Sequence, residues 1–76
     1  MKAYLFIKTD SNKEQNVLLN LQKFEEVKTA DIVFGEWDIV SLIEVKTTES
    51  LGAFVMDKIR NIPEVKLTST MILWSH

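Results

Sequence analysis

Cysteine is absent from this 76-residue chain, proline occurs once and glycine twice. Without cysteine there are no disulfides and no thiolate metal sites. His76 is the only histidine, so an ordinary zinc site has no ligand set to build it. Catalysis has equally little to work with: there is no cysteine nucleophile, and no Ser-His-Asp set forms without that terminal imidazole. No catalytic residue and no metal ligand is assigned, and the chain reads as a non-enzyme. Nine basic residues face eleven acidic ones, and the lysines are scattered singly beside the lone Arg60. The clustered basic face that direct nucleic-acid binding needs is missing. Apolar runs are short as well: the longest, residues 4–7 and 71–74, fall far below a membrane span. The chain starts with one lysine and then a strand pattern, so no signal peptide is expected. A cytoplasmic location fits the lack of cysteine. There is no repeat, low-complexity tract or linker.

What is present is one domain, residues 1–76. A chain this short buries only about 60–65% of the surface its unfolded form exposes, which leaves a monomer marginal. With disulfides and zinc excluded, association with other chains is the stabiliser that remains.

Residues 2–8 are an apolar run rich in aromatic and branched side chains, a strand expected to be buried on both faces. Ser11 with Glu14 matches a capping box. Val17, Leu18, Leu21 and Phe24 then follow at helical spacing, which predicts a helix over 12–26. Residues 27–34 and 39–46 read as two strands about the tetrad Gly35, Glu36, Trp37 and Asp38. Glycine supplies the positive φ of a tight reversal, and aspartate bonds its own turn. Thr47 and Thr48 offer a second N-cap. Leu51, Phe54, Val55, Lys58, Ile59 and Ile62 step at three and four until Pro63 stops the helix. Residues 66–74 form the last strand. The order β-α-β-β-α-β predicts an α+β, ferredoxin-like fold. Its four-stranded antiparallel sheet has order 4-1-3-2 and both helices on one face.

The helix-free face should then alternate to polar, and it does not. Ser41, Glu44, Thr68 and Thr70 are too few to wet it. Burying roughly 600 Å² of such a face per chain is worth on the order of 15 kcal/mol before association costs. Homodimerisation through this face is the expectation.

Two polar groups stand out. The tetrad carries an indole and two carboxylates at a hairpin tip, where a small sheet domain displays binding loops. Acidic residues at such a tip also serve simply as turn residues, and Trp37 could fold back onto the domain. Thr68, Ser69 and Thr70 are a hydroxyl cluster in an apolar strand. They suit either a plain strand face or the lining of a small polar pocket.

Taken in order, the tetrad, the strand after it, the helix with Leu51, Phe54, Val55 and Ile59, the turn Ile62-Pro63-Glu64-Val65 and Thr68-Ser69-Thr70 resemble a known module. It is the effector-binding (RAM) domain of Lrp/AsnC-type transcription regulators, and the resemblance spans residues 3–74. It implies dimers paired through sheet faces, assembly into rings that are often octamers, and no cofactor. It also implies a free amino acid as effector, bound between neighbouring dimers. Gly35, Glu36, Trp37 and Asp38 would form the loop side of that pocket, with Thr68, Ser69 and Thr70 on a strand near it. Two departures stand out. Strand one begins at residue 2, with no helix-turn-helix before it, so a stand-alone domain acting through full-length regulators is expected. Glu64 replaces the glycine often found in the family's turn. Two alternatives stay open: an ACT-like amino-acid-binding module and a small dimeric ferredoxin-like α+β barrel enzyme. The first favours a glycine in the strand–helix connection, which residues 9–12 lack. The second needs an internal titratable residue, and no internal histidine exists.

Overall fold

Lys2–Thr9 forms β1, and its side chains alternate in burial: Ala3, Leu5, Ile7 and Thr9 are buried, while Lys2 and Tyr4 are exposed. The computed structural model describes residues 1–74, so His76 lies outside the described residues. After β1 come α1 (Glu14–Leu21), β2 (Val27–Ile32), β3 (Ile39–Glu44), α2 (Thr48–Phe54) and β4 (Val65–Ile72). The sheet is antiparallel with order β2-β3-β1-β4, the expected 4-1-3-2 read from the other edge. Residues from both helices share one core cluster with Leu5 and Ile7 of β1 and Ile39 and Ile43 of β3. Both helices therefore cover one face.

Three local expectations are corrected. The Ser11–Glu14 capping box does not form. Asn12 takes a left-handed φ of 65°, which asparagine tolerates, and Lys13 N–H bonds to the Asp10 carbonyl at 3.1 Å. That turn uses the residues the box needed, so α1 starts at Glu14 with no side-chain cap. The helix also ends at Leu21 rather than near residue 26. Beyond it, N–H groups of Phe24 and Val27 bond three residues back, to Leu21 and Phe24. These tight turns reverse the chain while keeping Phe24 against Phe54, edge to face at 5.4 Å.

The second helix keeps its predicted Thr47 cap, whose Oγ1 accepts from Ser50 N–H at 3.0 Å. It does not stay α-helical. Val55–Ile59 is a π-helical turn, with Arg60 N–H reaching the Val55 carbonyl at 2.9 Å. A regular helix would bring position 58 under the same face as Leu51 and Phe54. The extra residue of the wider turn rotates Lys58 to solvent and puts Ile59, fully buried, in its place.

The expectation that β1 is buried on both faces holds for the helix side alone. Tyr4 is 42% exposed and Phe6 is half-buried on the other side. On the open face, edge strand β2 presents the exposed Thr29 and Asp31, whereas three of the four polar residues the sequence pattern placed there turn away from it. Ser41 turns inward, fully buried, and donates to the Thr29 carbonyl at 2.8 Å. By register, Thr68 and Thr70 share the helix side with Ile7 and Leu5. Cross-strand rows on the open face run Asp31–Val40–Phe6–Ser69 and Thr29–Leu42–Tyr4–Met71.

Candidate functional site

The β2–β3 connection is built on Gly35, whose φ of 139° lies in a region side chains rarely adopt. Val33 N–H bonds to the Asp38 carbonyl at 2.9 Å, closing the hairpin around residues 34–37. Because β3 lies beside β1, this tip comes to rest at the end of β1. Asp38 N–H donates to the Ile7 carbonyl at 2.9 Å. Asp38 Oδ2 accepts from Thr9 N–H at 2.8 Å, with Thr9 Oγ1 at 3.4 Å. Lys8 Nζ reaches the Glu36 carbonyl at 2.7 Å. The loop is thus tied down at three points.

Trp37 lies over Phe6, ring centroids 6.1 Å apart at 45°. The indole folds onto the open sheet face instead of standing free, one of the two orientations the sequence left open. Phe6 in turn pairs with Ser69 across the strand, so Ser69 borders the same aromatic platform.

The hydroxyl cluster is split between faces. Thr68 lies in a groove with Arg60, Val65, Lys66 and Leu67. Thr70 borders a second groove between α2 and β4. Thr68 pairs with Ile7, which pairs with Ile39, so two strand spacings, about 10 Å, separate it from the start of β3. β1 stands between the tetrad and the threonines. One chain therefore does not close the two groups around a single small ligand.

Phe6, Lys8 and Thr9, which seat the tetrad, were not singled out from sequence. The one signal was strand order, since β3 beside β1 brings the hairpin to the end of β1. Among the described residues no group of three or more His, Cys, Asp or Glu could hold a metal ion. No helix among them is long and apolar enough to cross a membrane.

The Thr9–Asp38 contact yields a clear expectation. Asp38→Ala leaves a part-buried N–H without its partner and lowers stability by about 1–2 kcal/mol. Asp38→Asn keeps an acceptor oxygen and loses less. Urea unfolding of the two variants checks the ranking.

Comparisons with known proteins agree with this fold. The profile of the Lrp/AsnC ligand binding domain matches residues 2–76. The HTH-type transcriptional regulator FL11 of Pyrococcus abyssi is 38% identical over 73 residues, which cover 96% of this chain and 48% of that protein. Among solved structures, FFRP-DM1 matches with a TM-score of 0.93 at 38% identity, covering 96% of this chain and 97% of that one. The Neisseria meningitidis transcriptional regulator NMB0573, solved in complex with L-Met, matches with a TM-score of 0.88. The match covers 97% of this chain and 49% of that one; at 14% identity the likeness is one of fold. The chain spans about half the length of the curated relatives it matches.

Proposed function

The chain belongs to the Lrp/AsnC ligand-binding domain family, and from that premise we propose a non-enzymatic regulatory domain that binds a free amino acid between copies of itself. Its setting is the cytoplasm, and it needs no cofactor. The observation that carries this reading is the separation of two polar groups by β1, beside a sheet face too apolar for solvent. Each group is half of a pocket, and a second chain supplies the other half.

The chemistry of the halves is complementary. A free amino acid is a zwitterion, so its site must offer donors to the carboxylate and acceptors to the ammonium. Thr68 lies in a groove with Arg60 and Lys66, a setting for a carboxylate. Glu36 and Asp38 supply negative charge at the hairpin tip, with Asp38 also holding the loop through Oδ2. Support for an amino-acid effector also comes from the Neisseria regulator, whose structure carries L-Met. Sheet-face pairing gives dimers, and dimers join into higher rings such as octamers. Because the site is shared, ligand occupancy and assembly are thermodynamically linked. Curated relatives about twice as long are HTH-type regulators, so a shared interface lets this domain modulate such full-length proteins.

A thermal-shift screen of the twenty amino acids tests the sensing role. At least one is expected to raise the melting temperature, because binding at 100 times Kd adds about 2.7 kcal/mol to stability. A flat screen with assembly intact would remove the effector and leave only the scaffold.

A further inference from the structure

Gly52 leaves a gap on the flank of α2: a Cβ at this helical glycine meets no atom within 4 Å. Edge strand β4 borders the same gap. Thr68, Thr70 and Ile72 pair with the buried Ile7, Leu5 and Ala3, so their side chains share the helix side of the sheet. Between them lies an open groove of about 320 Å³, walled by Leu51, Val55, Met56 and Ile72 and bordered by Thr70. One turn past Met56 the chain supplies charge. Arg60 Nη1 lies 3.7 Å from the Met56 sulfur. Arg60 also borders a second groove, of about 260 Å³, with Lys66 and Thr68. Thr68 and Thr70 are successive residues on one side of β4, so the apolar groove runs into the cationic one. Among the described residues no aspartate or glutamate borders either.

We propose that this surface binds an aliphatic monocarboxylate without an amino group. Its head group meets Arg60, Lys66 and Thr68, and its alkyl chain lies along Met56 toward Gly52. A guanidinium offers a carboxylate a forked pair of N–H donors, and a threonine hydroxyl adds a neutral one. The grooves hold no anion to receive an ammonium, and taking an unpartnered charge out of water is costly. That separates this ligand from a zwitterion. Thr68 to Ile72 spans four residues of strand, about 13 Å, room for a head group and a straight alkyl chain. A groove of this volume lies at the small end of ligand sites, where apolar walls and a few polar groups set the orientation. The site is complete within one chain, so it rests neither on assembly nor on the amino-acid-binding reading above. It shares its cationic end with the carboxylate half of that reading, so the two ligands exclude one another there.

Titration calorimetry of the full chain with butanoate, hexanoate and octanoate tests both ends of the site. Saturable binding is expected, with affinity rising about two- to fourfold for each methylene laid in the groove. Octylammonium, with the same tail and the opposite charge, is expected to bind at least about tenfold more weakly than octanoate. Two substitutions separate head from tail. Arg60→Gln lowers octanoate affinity by about tenfold. Gly52→Leu fills the groove, raises helix propensity, and removes the dependence on chain length. Circular dichroism checks that both variants fold. Equal binding of octanoate and octylammonium by the wild type overturns the proposal. So does a chain-length dependence undiminished in Gly52→Leu, which would assign the uptake to the open sheet face. A wild type that takes up no octanoate overturns it too, and leaves the amino-acid reading standing. A flat amino-acid screen beside saturable octanoate binding keeps this site and sinks that reading instead.

Discussion

Replacing Tyr4 by lysine is expected to convert an assembled protein into a folded monomer. Tyr4 sits on central strand β1, between Leu42 of β3 and Met71 of β4. Its side chain is 42% exposed in the single chain, so a lysine there can extend into solvent at a cost within about 0.5 kcal/mol. Two sheets stacked on this face would instead bury an unpaired ammonium from each copy. Each such charge costs about 3–5 kcal/mol, so the dimer loses roughly four orders of magnitude or more in affinity. Light scattering reads the mass, and circular dichroism confirms that the fold survives. Glu44, by contrast, lies at the margin of the face and already meets solvent, which is why one carboxylate there does not prevent association.

The second large effect is on folding. Leu5→Ala is expected to cost about 2–5 kcal/mol, because Leu5 is fully buried and a cavity beneath it cannot collapse between two helices and a sheet. A domain of this length holds on the order of 4–11 kcal/mol in total. The melting temperature should therefore fall by about 10–30 °C. Leu19→Ala on the exposed side of α1 is the control and should move it by no more than a few degrees. If the two variants melted together, the inward assignment of β1 would be wrong.

How far the sequence reached depended on the range of the forces involved. Strand and helix order was legible because β1 and β3 are short runs of apolar, branched and aromatic residues, while α1 and α2 carry apolar residues at a period near 3.6. The hairpin at Gly35 was legible because positive φ is a property of one residue. The Ser11–Glu14 box failed because Asn12 turned left-handed, a choice between two local arrangements that the same residues permit. The π turn was hidden for a related reason. Ile59 and Lys58 are neighbours, and only packing against the sheet decides which of them turns inward.

Placement of the candidate site was less legible than the fold. That Asp38 would tie to Thr9, and Trp37 to Phe6, depends on how far the hairpin reaches past the end of β1. Alternation alone could have divided Thr68 and Thr70 from Ser69, but which of them faced the helices awaited the register. Within one chain the tetrad lies on one side of β1, and Thr68 and Thr70 lie on the other, on the helix side of the sheet.

The proposed need for a second copy can be checked on the unmodified protein by sedimentation equilibrium across micromolar concentrations. The account predicts a mass of at least two 8.8 kDa chains throughout, whether or not any amino acid is added. A mass of one chain over the whole range would leave the aromatic sheet face in water and contradict it.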